Sequence, residues 1–286
     1  MLDTNMFGWI RKLNKIILFL VLLLIFSTST IALNDDANDT SVKLLYYNQV
    51  YGTDGNSLIP FLRTHLYHML GQPEKVRERS NISDTVRLVR ANDPDIFVLS
   101  EVLGETQREE FIQEMPEYHF YSGQGHGWNG SSQYVEILLG TRLEAQPLNL
   151  PRVEVPNKMG NGGGIVGVYL PTLDTYVLGL QLALQDRKEI VDQQMDIVKN
   201  YSDKKVILLG DFNQEYSELI KHYPWMKEVE RLSPDVSTCS ETNFVKWFYH
   251  RSLDYILGRG VNLQDKGTFS GRSDHKGVWV EITTYD

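Results

Sequence analysis

The chain reads as an α/β domain in which mixed β-sheets are covered by helices. Three observations lead there. Apolar segments of strand length alternate with helix-period segments and no internal repeat. Some strands alternate in polarity whereas others are continuously apolar, the pattern of sheets that mix half-covered and fully covered strands. Nothing from residue 43 onward resembles a linker, so residues 42–286 read as one domain.

Lys43–Tyr47 is a short apolar strand ending at Asn48. Ser83–Ala91 has helical spacing, with Val86, Leu88 and Val89 set against Arg87 and Arg90, and Asn92-Asp93-Pro94 stops it. Ile96–Ser100 is a strand of the buried type that delivers Glu101. Thr106–Met115 predicts a helix and Tyr134–Leu139 a strand. The run Met159–Gly164 reads as a turn: it lacks a Gly-Lys-Ser/Thr ending, which rejects a nucleotide-binding loop. Ile165–Leu170 and Tyr176–Ala183 form a hairpin around Pro171–Thr175. Arg187–Asn200 is an amphipathic helix, and Lys205–Leu209 a fully buried strand closed by Gly210-Asp211-Phe212-Asn213. Leu253–Leu257 and Gly277–Ile282 complete the series.

Composition narrows the function. Apolar residues make up 42% of the chain and charged residues 23%, which excludes disordered, collagenous and multi-spanning classes. The 28 basic and 37 acidic residues give a formal charge of −9. A body this acidic does not hold a polyanion by bulk attraction, but it suits a site that concentrates divalent cations. Cys239 is the only cysteine, which rules out an intrachain disulfide and the cysteine-based zinc sites. Arg11, Lys12 and Lys15 precede the apolar run Ile16–Phe26. Residues 1–33 therefore read as a secretory signal or an uncleaved membrane anchor, with the body outside the cytoplasm under either reading. Four Asn-X-Ser/Thr tripeptides, beginning at Asn38, Asn81, Asn129 and Asn200, fit an exported chain.

The chemistry gathers at strand ends. Asn48, Glu101, Asp211 with Asn213, and Asp254 each accompany a separate apolar strand, and Asp274 and His275 precede the last one. Oxygen ligands without paired His or Cys suit a hard cation such as Mg2+, with Mn2+ as an alternative.

Taken in order, Leu209-Gly210-Asp211-Phe212-Asn213, Leu253-Asp254-Tyr255-Ile256-Leu257 and Ser273-Asp274-His275 resemble the endonuclease/exonuclease/phosphatase, or DNase I-like, superfamily. The Asn48 strand end and the Asp93-Pro94-Asp95-Ile96 segment leading to Glu101 agree with it. The resemblance spans roughly residues 43–282. It implies a four-layer α-β-β-α sandwich with two mixed sheets and metal-dependent hydrolysis of phosphate esters. It also implies roles: Glu101 as main metal carboxylate with Asn48 and Asp274 nearby, and His275 as the imidazole oriented by Asp254. Asp211 and Asn213 would flank the phosphate and position the attacking water.

The chain departs from the family in two places. Many relatives have a His in a Thr-His-Leu segment where this chain has Gly179-Leu180-Gln181-Leu182. Gln181 there is a candidate for substrate binding that donates a hydrogen bond but no proton. The stretch Tyr51–Arg79 is also longer than the usual connection and carries Arg63, His65, His68, Lys75, Arg77 and Arg79. It reads as a solvated helix with loops, or as a lid over substrate.

The expected activity is an exported Mg2+-dependent phosphodiesterase with nucleic acid as substrate. A sphingomyelinase-like phospholipid hydrolase, a phosphomonoesterase and a non-catalytic binding protein are the alternatives. Leu209 and Tyr255 stand where inositol-phosphate phosphatases carry an aromatic residue and an Arg. Trp128 with His126, and Trp247-Phe248-Tyr249, are candidates for stacking bases. No stable protein partner is indicated.

Overall fold

The central strands of the two sheets are buried continuously because both of their faces are covered. The structure, a computed structural model, describes residues 41–53, 80–127, 134–153, 164–240 and 250–284, with a few positions between 63 and 78. The amino-terminal segment 1–33, His65, His68, Arg77, Arg79, the glycine run up to Gly163, Trp128 and Trp247–Tyr249 lie outside the described residues, as does the side chain of His126.

In chain order the strands begin with β1 (Ser41–Asn48), β2 (Ile96–Leu103), β3 (His119–Gly127), β4 (Tyr134–Thr141) and β5 (Gln146–Pro147). Next come β6 (Ile165–Leu170), β7 (Thr175–Gln181), β8 (Val206–Asp211), β9 (Glu230–Arg231) and β10 (Cys239–Ser240). The last are β11 (His250–Arg251), β12 (Asp254–Arg259), β13 (Val261–Ser270) and β14 (Lys276–Thr284). Among the described residues the α-helices are α1 (Ser83–Asn92), α2 (Gly104–Glu114), α3 (Lys188–Lys199) and α4 (Tyr216–His222).

One six-stranded sheet has the order β13-β14-β1-β2-β4-β3 and the other β5-β6-β7-β8-β12-β9. Both are mixed: β1 pairs β2 in parallel and β14 antiparallel, and β8 pairs β7 in parallel and β12 antiparallel.

Alternate residues of each strand enter different layers. Leu44 and Tyr46 of β1, Ile96 and Val98 of β2, Val177 of β7, Ile207 and Leu209 of β8 and Ile256 of β12 fill the core between the sheets. Leu45, Tyr47, Phe97 and Leu99 point the other way, onto Val86 and Val89 of α1 and Phe111 of α2. Leu178, Leu180, Leu208 and Tyr255 pack against Ile190, Val191, Met195 and Val198 of α3 and Leu219 of α4. The result is the expected α-β-β-α sandwich of four layers.

The predicted stop is in place: Asp93, at φ 48°, ends α1 before Pro94. At the other end, where the sequence reading places no start signal, Asn81 accepts the Ser83 N–H at 2.9 Å. The predicted hairpin is β6–β7, closed by the Leu170–Thr175 pair. Among the described residues the sequence reading misses β3, β13, α4 and the two-residue strands β5, β9, β10 and β11.

Candidate active site

The inward-facing positions of three neighbouring strands turn from aliphatic to polar at one end of the second sheet. Val177, Leu209 and Ile256 line the core, and Gln181, Asp211 and Asp254 stand at the mouth. Gln181 pairs with Asp211 across the parallel β7–β8 ladder, and Asp211 with Asp254 across β8–β12. The first sheet repeats the pattern: Leu44 and Tyr46 lead to Asn48, which pairs with Ser100 of β2. His275 directly precedes β14 on the other side of β1.

Glu101 needs a correction to simple strand-end geometry. It is not the end of its strand; β2 continues to Leu103. Pairing with β4 breaks register between Leu99 and Val102, and Glu101 takes φ 56°. Plain alternation would send Glu101 toward the helices, because Ser100 occupies the core-facing turn. The bulge re-aims it into the mouth. Asp254, likewise, opens β12 rather than lying inside it.

Three pairs bridge the sheets. Gln181 Nε2 donates to Glu101 Oε1 at 3.0 Å. Asn48 Nδ2 donates to Asp211 Oδ2 at 3.3 Å and to Glu101 Oε1 at 3.2 Å. His275 Nδ1 lies 2.8 and 3.1 Å from the two oxygens of Asp254. The predicted residues Gln181, Glu101, Asn48 and Asp211 thus form one hydrogen-bonded chain across the cleft, and the His275–Asp254 pair stands beside it, with ligand atoms of Asp211, Asp254 and His275 within 4.8 Å of one another. Asn48 presents its amide nitrogen rather than its oxygen to the carboxylates, because Oδ1 accepts the Val50 N–H at 3.1 Å.

Asn213, at φ 50°, donates its backbone N–H to Asp211 Oδ1 (2.9 Å) and its side-chain amide to Leu182 O (2.7 Å). It fixes the orientation of Asp211. Asp274 accepts from Ser273 Oγ at 3.3 Å, beside His275.

Residues with no motif support this set. Gln194 of α3 holds both sides of Gln181: its Nε2 donates to Gln181 O and its Oε1 accepts the Ala183 N–H. Thr238 Oγ1 accepts the backbone N–H groups of Leu253 and Asp254 at 3.1 and 3.0 Å. Tyr47 OH accepts the Ser273 N–H (3.1 Å), and Cys239 bridges to His275 through the backbone. A buried Gln on a helix or a Thr in a loop carries no pattern that sequence reading can catch.

The charges are unbalanced. Burial, then Asp254, push the Asp211 carboxyl up to about 7, although His275 and the Asn213 N–H favour its ionised form. Burial pulls the His275 imidazole down, yet Asp254 and Cys239 outweigh it and hold the ring well above its usual value. Below them Tyr46 OH shares a 2.6 Å hydrogen bond with Ser100 Oγ, and burial with the Asp254 and Asp211 charges raises this phenol far upward. Asp211, Asp254 and Asp274 therefore crowd one imidazole, and Glu101 adds a further carboxylate to the mouth through Asn48. That deficit of positive charge, met by carboxylate oxygens, fits a hard divalent cation.

A sandwich of this kind, with carboxylates and a carboxylate-held imidazole at its mouth, is a phosphoesterase scaffold. A model of the endonuclease/exonuclease/phosphatase family matches residues 69–275, and the chain belongs to that family. Family members are hydrolases of phosphoester bonds and generally depend on a divalent metal. No curated protein matches the chain.

Solved structures share the fold at low identity. An endonuclease/exonuclease/phosphatase from Beutenbergia cavernae is 15% identical with a TM-score of 0.58, over 85% of this chain and 72% of that one. D. rerio TDP2 complexed with a single-strand DNA product is 15% identical with a TM-score of 0.55, over 86% of this chain and 100% of that one. A mannosyl-6-phosphatase from Bacteroides thetaiotaomicron is 15% identical with a TM-score of 0.51, over 84% and 99%.

Proposed function

We propose that this chain is an exported, divalent-metal-dependent phosphodiesterase that cleaves nucleic acid by attack of water. One observation carries the reading: Glu101 and Asp211 share the Asn48 amide, and the Asp254-held His275 has its ring within 4.8 Å of the Asp211 carboxylate.

Asp211, with a pKa raised to about 7, is poised to accept a proton from water near neutrality, and the Asn213 N–H keeps its carboxylate aimed. His275, kept cationic by Asp254, faces the charge that develops on the phosphate oxygens. Glu101 and Asp274 are the residues that would hold Mg2+ or Mn2+, with Asn48 and Gln181 as donors that orient Glu101. A bound ion supplies positive charge to the non-bridging oxygens. Gln181 holds the position of a proton donor without a transferable proton, so leaving-group departure relies on electrostatic stabilisation.

Export rests on Arg11, Lys12 and Lys15 before Ile16–Phe26. Nucleic acid as substrate is supported by the family and by the single-strand DNA product held by the zebrafish relative.

The test is a panel of plasmid DNA, RNA, sphingomyelin and a phosphomonoester, with and without chelator. The expected result is nucleic-acid cleavage that chelation abolishes and Mg2+ or Mn2+ restores. Activity that survives chelation overturns the metal dependence. Turnover confined to sphingomyelin or to the monoester overturns the substrate. Fractionation that leaves the full-length chain in the cytoplasm overturns export.

A further inference from the structure

The proposed chemistry uses one nitrogen of His275 and leaves Cys239 without a part. These two residues face each other through an isolated antiparallel bridge between the β10 segment and the turn before β14. One ligand atom each from Cys239, Asp274 and His275 lie within 4.8 Å of one another. A second group, Asp211, Asp254 and His275, meets the same spacing but offers only oxygens beside the ring.

The two groups differ in chemistry. Carboxylates alone suit a hard cation, whereas a thiolate, an imidazole and one carboxylate suit a borderline-soft ion such as Zn2+ or Co2+. Bond lengths of about 2.0–2.3 Å to N, O and S require the three side chains to draw in slightly. Cys239 is half-buried and Asp274 buried, so they stand at the rim rather than in open solvent. Asp254, fully buried, grips His275 Nδ1, which is the outer-shell arrangement that orients a metal-binding imidazole and leaves its other nitrogen to the ion. A single cysteine excludes the multi-cysteine zinc sites but not a site in which it is one of three different ligands.

We infer that Cys239, Asp274 and His275 form a second cation site, selective for Zn2+-like ions over Mg2+, which takes Asp274 in common with the proposed Mg2+ site. On binding, the Cys239 thiol proton and the proton on the free ring nitrogen of His275 both leave to solvent, and the thiolate and that nitrogen bond to the ion. Occupancy takes His275 away from substrate, so a Zn2+-like ion inhibits at saturating Mg2+. This inhibitory consequence rests on the proposed phosphodiesterase activity; the site itself does not.

The test adds Co2+ to the purified protein in excess Mg2+. The expected result is one equivalent bound with a strong sulfur-to-metal charge-transfer band in the near ultraviolet, displaced by Zn2+. Cys239→Ala should abolish the band, and Asp254→Asn should weaken binding about 10- to 100-fold, the usual cost of losing an outer-shell partner. Failure of the band to develop overturns the site, as does equal Co2+ affinity in wild type and Cys239→Ala. So does a band that forms only as the protein dimerises, which would place two chains' thiols on one ion. If the panel finds no phosphodiesterase activity, the spectra still decide the site.

Discussion

Gln181 Nε2 donates to Glu101 Oε1 at 3.0 Å, across the gap between the two sheets. Gln181 is 7% exposed, and Gln194 holds its backbone carbonyl. The amide is therefore a fixed part of the mouth. The position that many relatives fill with a His here orients Glu101, the carboxylate proposed above to hold the metal.

Gln181→Ala removes a hydrogen bond to a charged group, an interaction worth about 1.5–3 kcal/mol. The expected outcome is a loss of about 10- to 100-fold in kcat/KM, with a weaker apparent affinity for Mg2+ and little change in Tm. Gln181→His should raise turnover toward the roughly 10²-fold that acid–base assistance contributes. Steady-state kinetics on the preferred substrate decide both. Equal rates for wild type and Gln181→His would show that no proton is needed there.

Asp254 is fully buried and bonded to His275 through both carboxylate oxygens. Asp254→Asn keeps the volume but deprives the imidazolium of its counter-charge, so the ring loses its proton at neutral pH. Turnover should fall about 10²–10⁴-fold, and the alkaline limb of the pH profile should move to lower pH. Circular dichroism should be unchanged. An unaltered pH profile would sink the pairing.

Sequence alone exposed the residues of the mouth because each continues an apolar strand: Asn48 after Leu44–Tyr47, Asp211 after Val206–Gly210. Glu101 was legible by position but not by geometry, since a register break and a positive φ are invisible in Phe97-Val98-Leu99-Ser100. β3 and β13 escaped for a different reason. β13 is an edge strand held by backbone pairing with β14, and many of its side chains face solvent. β3 carries Gly123, Gly125 and Gly127, so neither strand shows the apolar alternation on which reading depends. Gln194 and Thr238 act through hydrogen bonds to main chain, which no local pattern announces.

The raised Asp211 pKa makes stability depend on pH. Between about pH 4, where the unfolded carboxyl titrates, and about pH 7, the native state holds a proton that the unfolded state has lost. Stability of the metal-free protein therefore falls as pH rises through that window, by a few kcal/mol at about 1.4 kcal/mol per pKa unit. His275 acts in the same direction at higher pH: its stabilising contribution is complete below its unfolded pKa and is lost as pH rises through the elevated native value. Asp211→Asn should thus be more stable than wild type at pH 8, close to it at pH 4, and inactive. Mg2+ should raise the wild-type Tm more at pH 8 than at pH 5. Calorimetry at the two values is the check, and a less stable Asp211→Asn at pH 8 would contradict the assignment.

The spacing of the sheets just behind the mouth depends on Gly179. A Cβ there would stand 2.7 and 2.9 Å from the two methyl carbons of Val98 and 3.0 Å from Val166 Cγ1, closer than side chains tolerate. Gly179 faces the first sheet two residues before Gln181, so a methyl group acts as a wedge under the Gln181–Glu101 bond. Gly179→Ala should cost about 1–3 kcal/mol, the usual range for overpacking, and should lower kcat more than a surface change of equal stability cost. Val98→Ala makes room for the added methyl. The double variant should therefore recover activity that Val98→Ala alone does not explain, a positive coupling in a double-mutant cycle. Additive effects on turnover would mean that the mouth does not depend on how closely the sheets approach at this point.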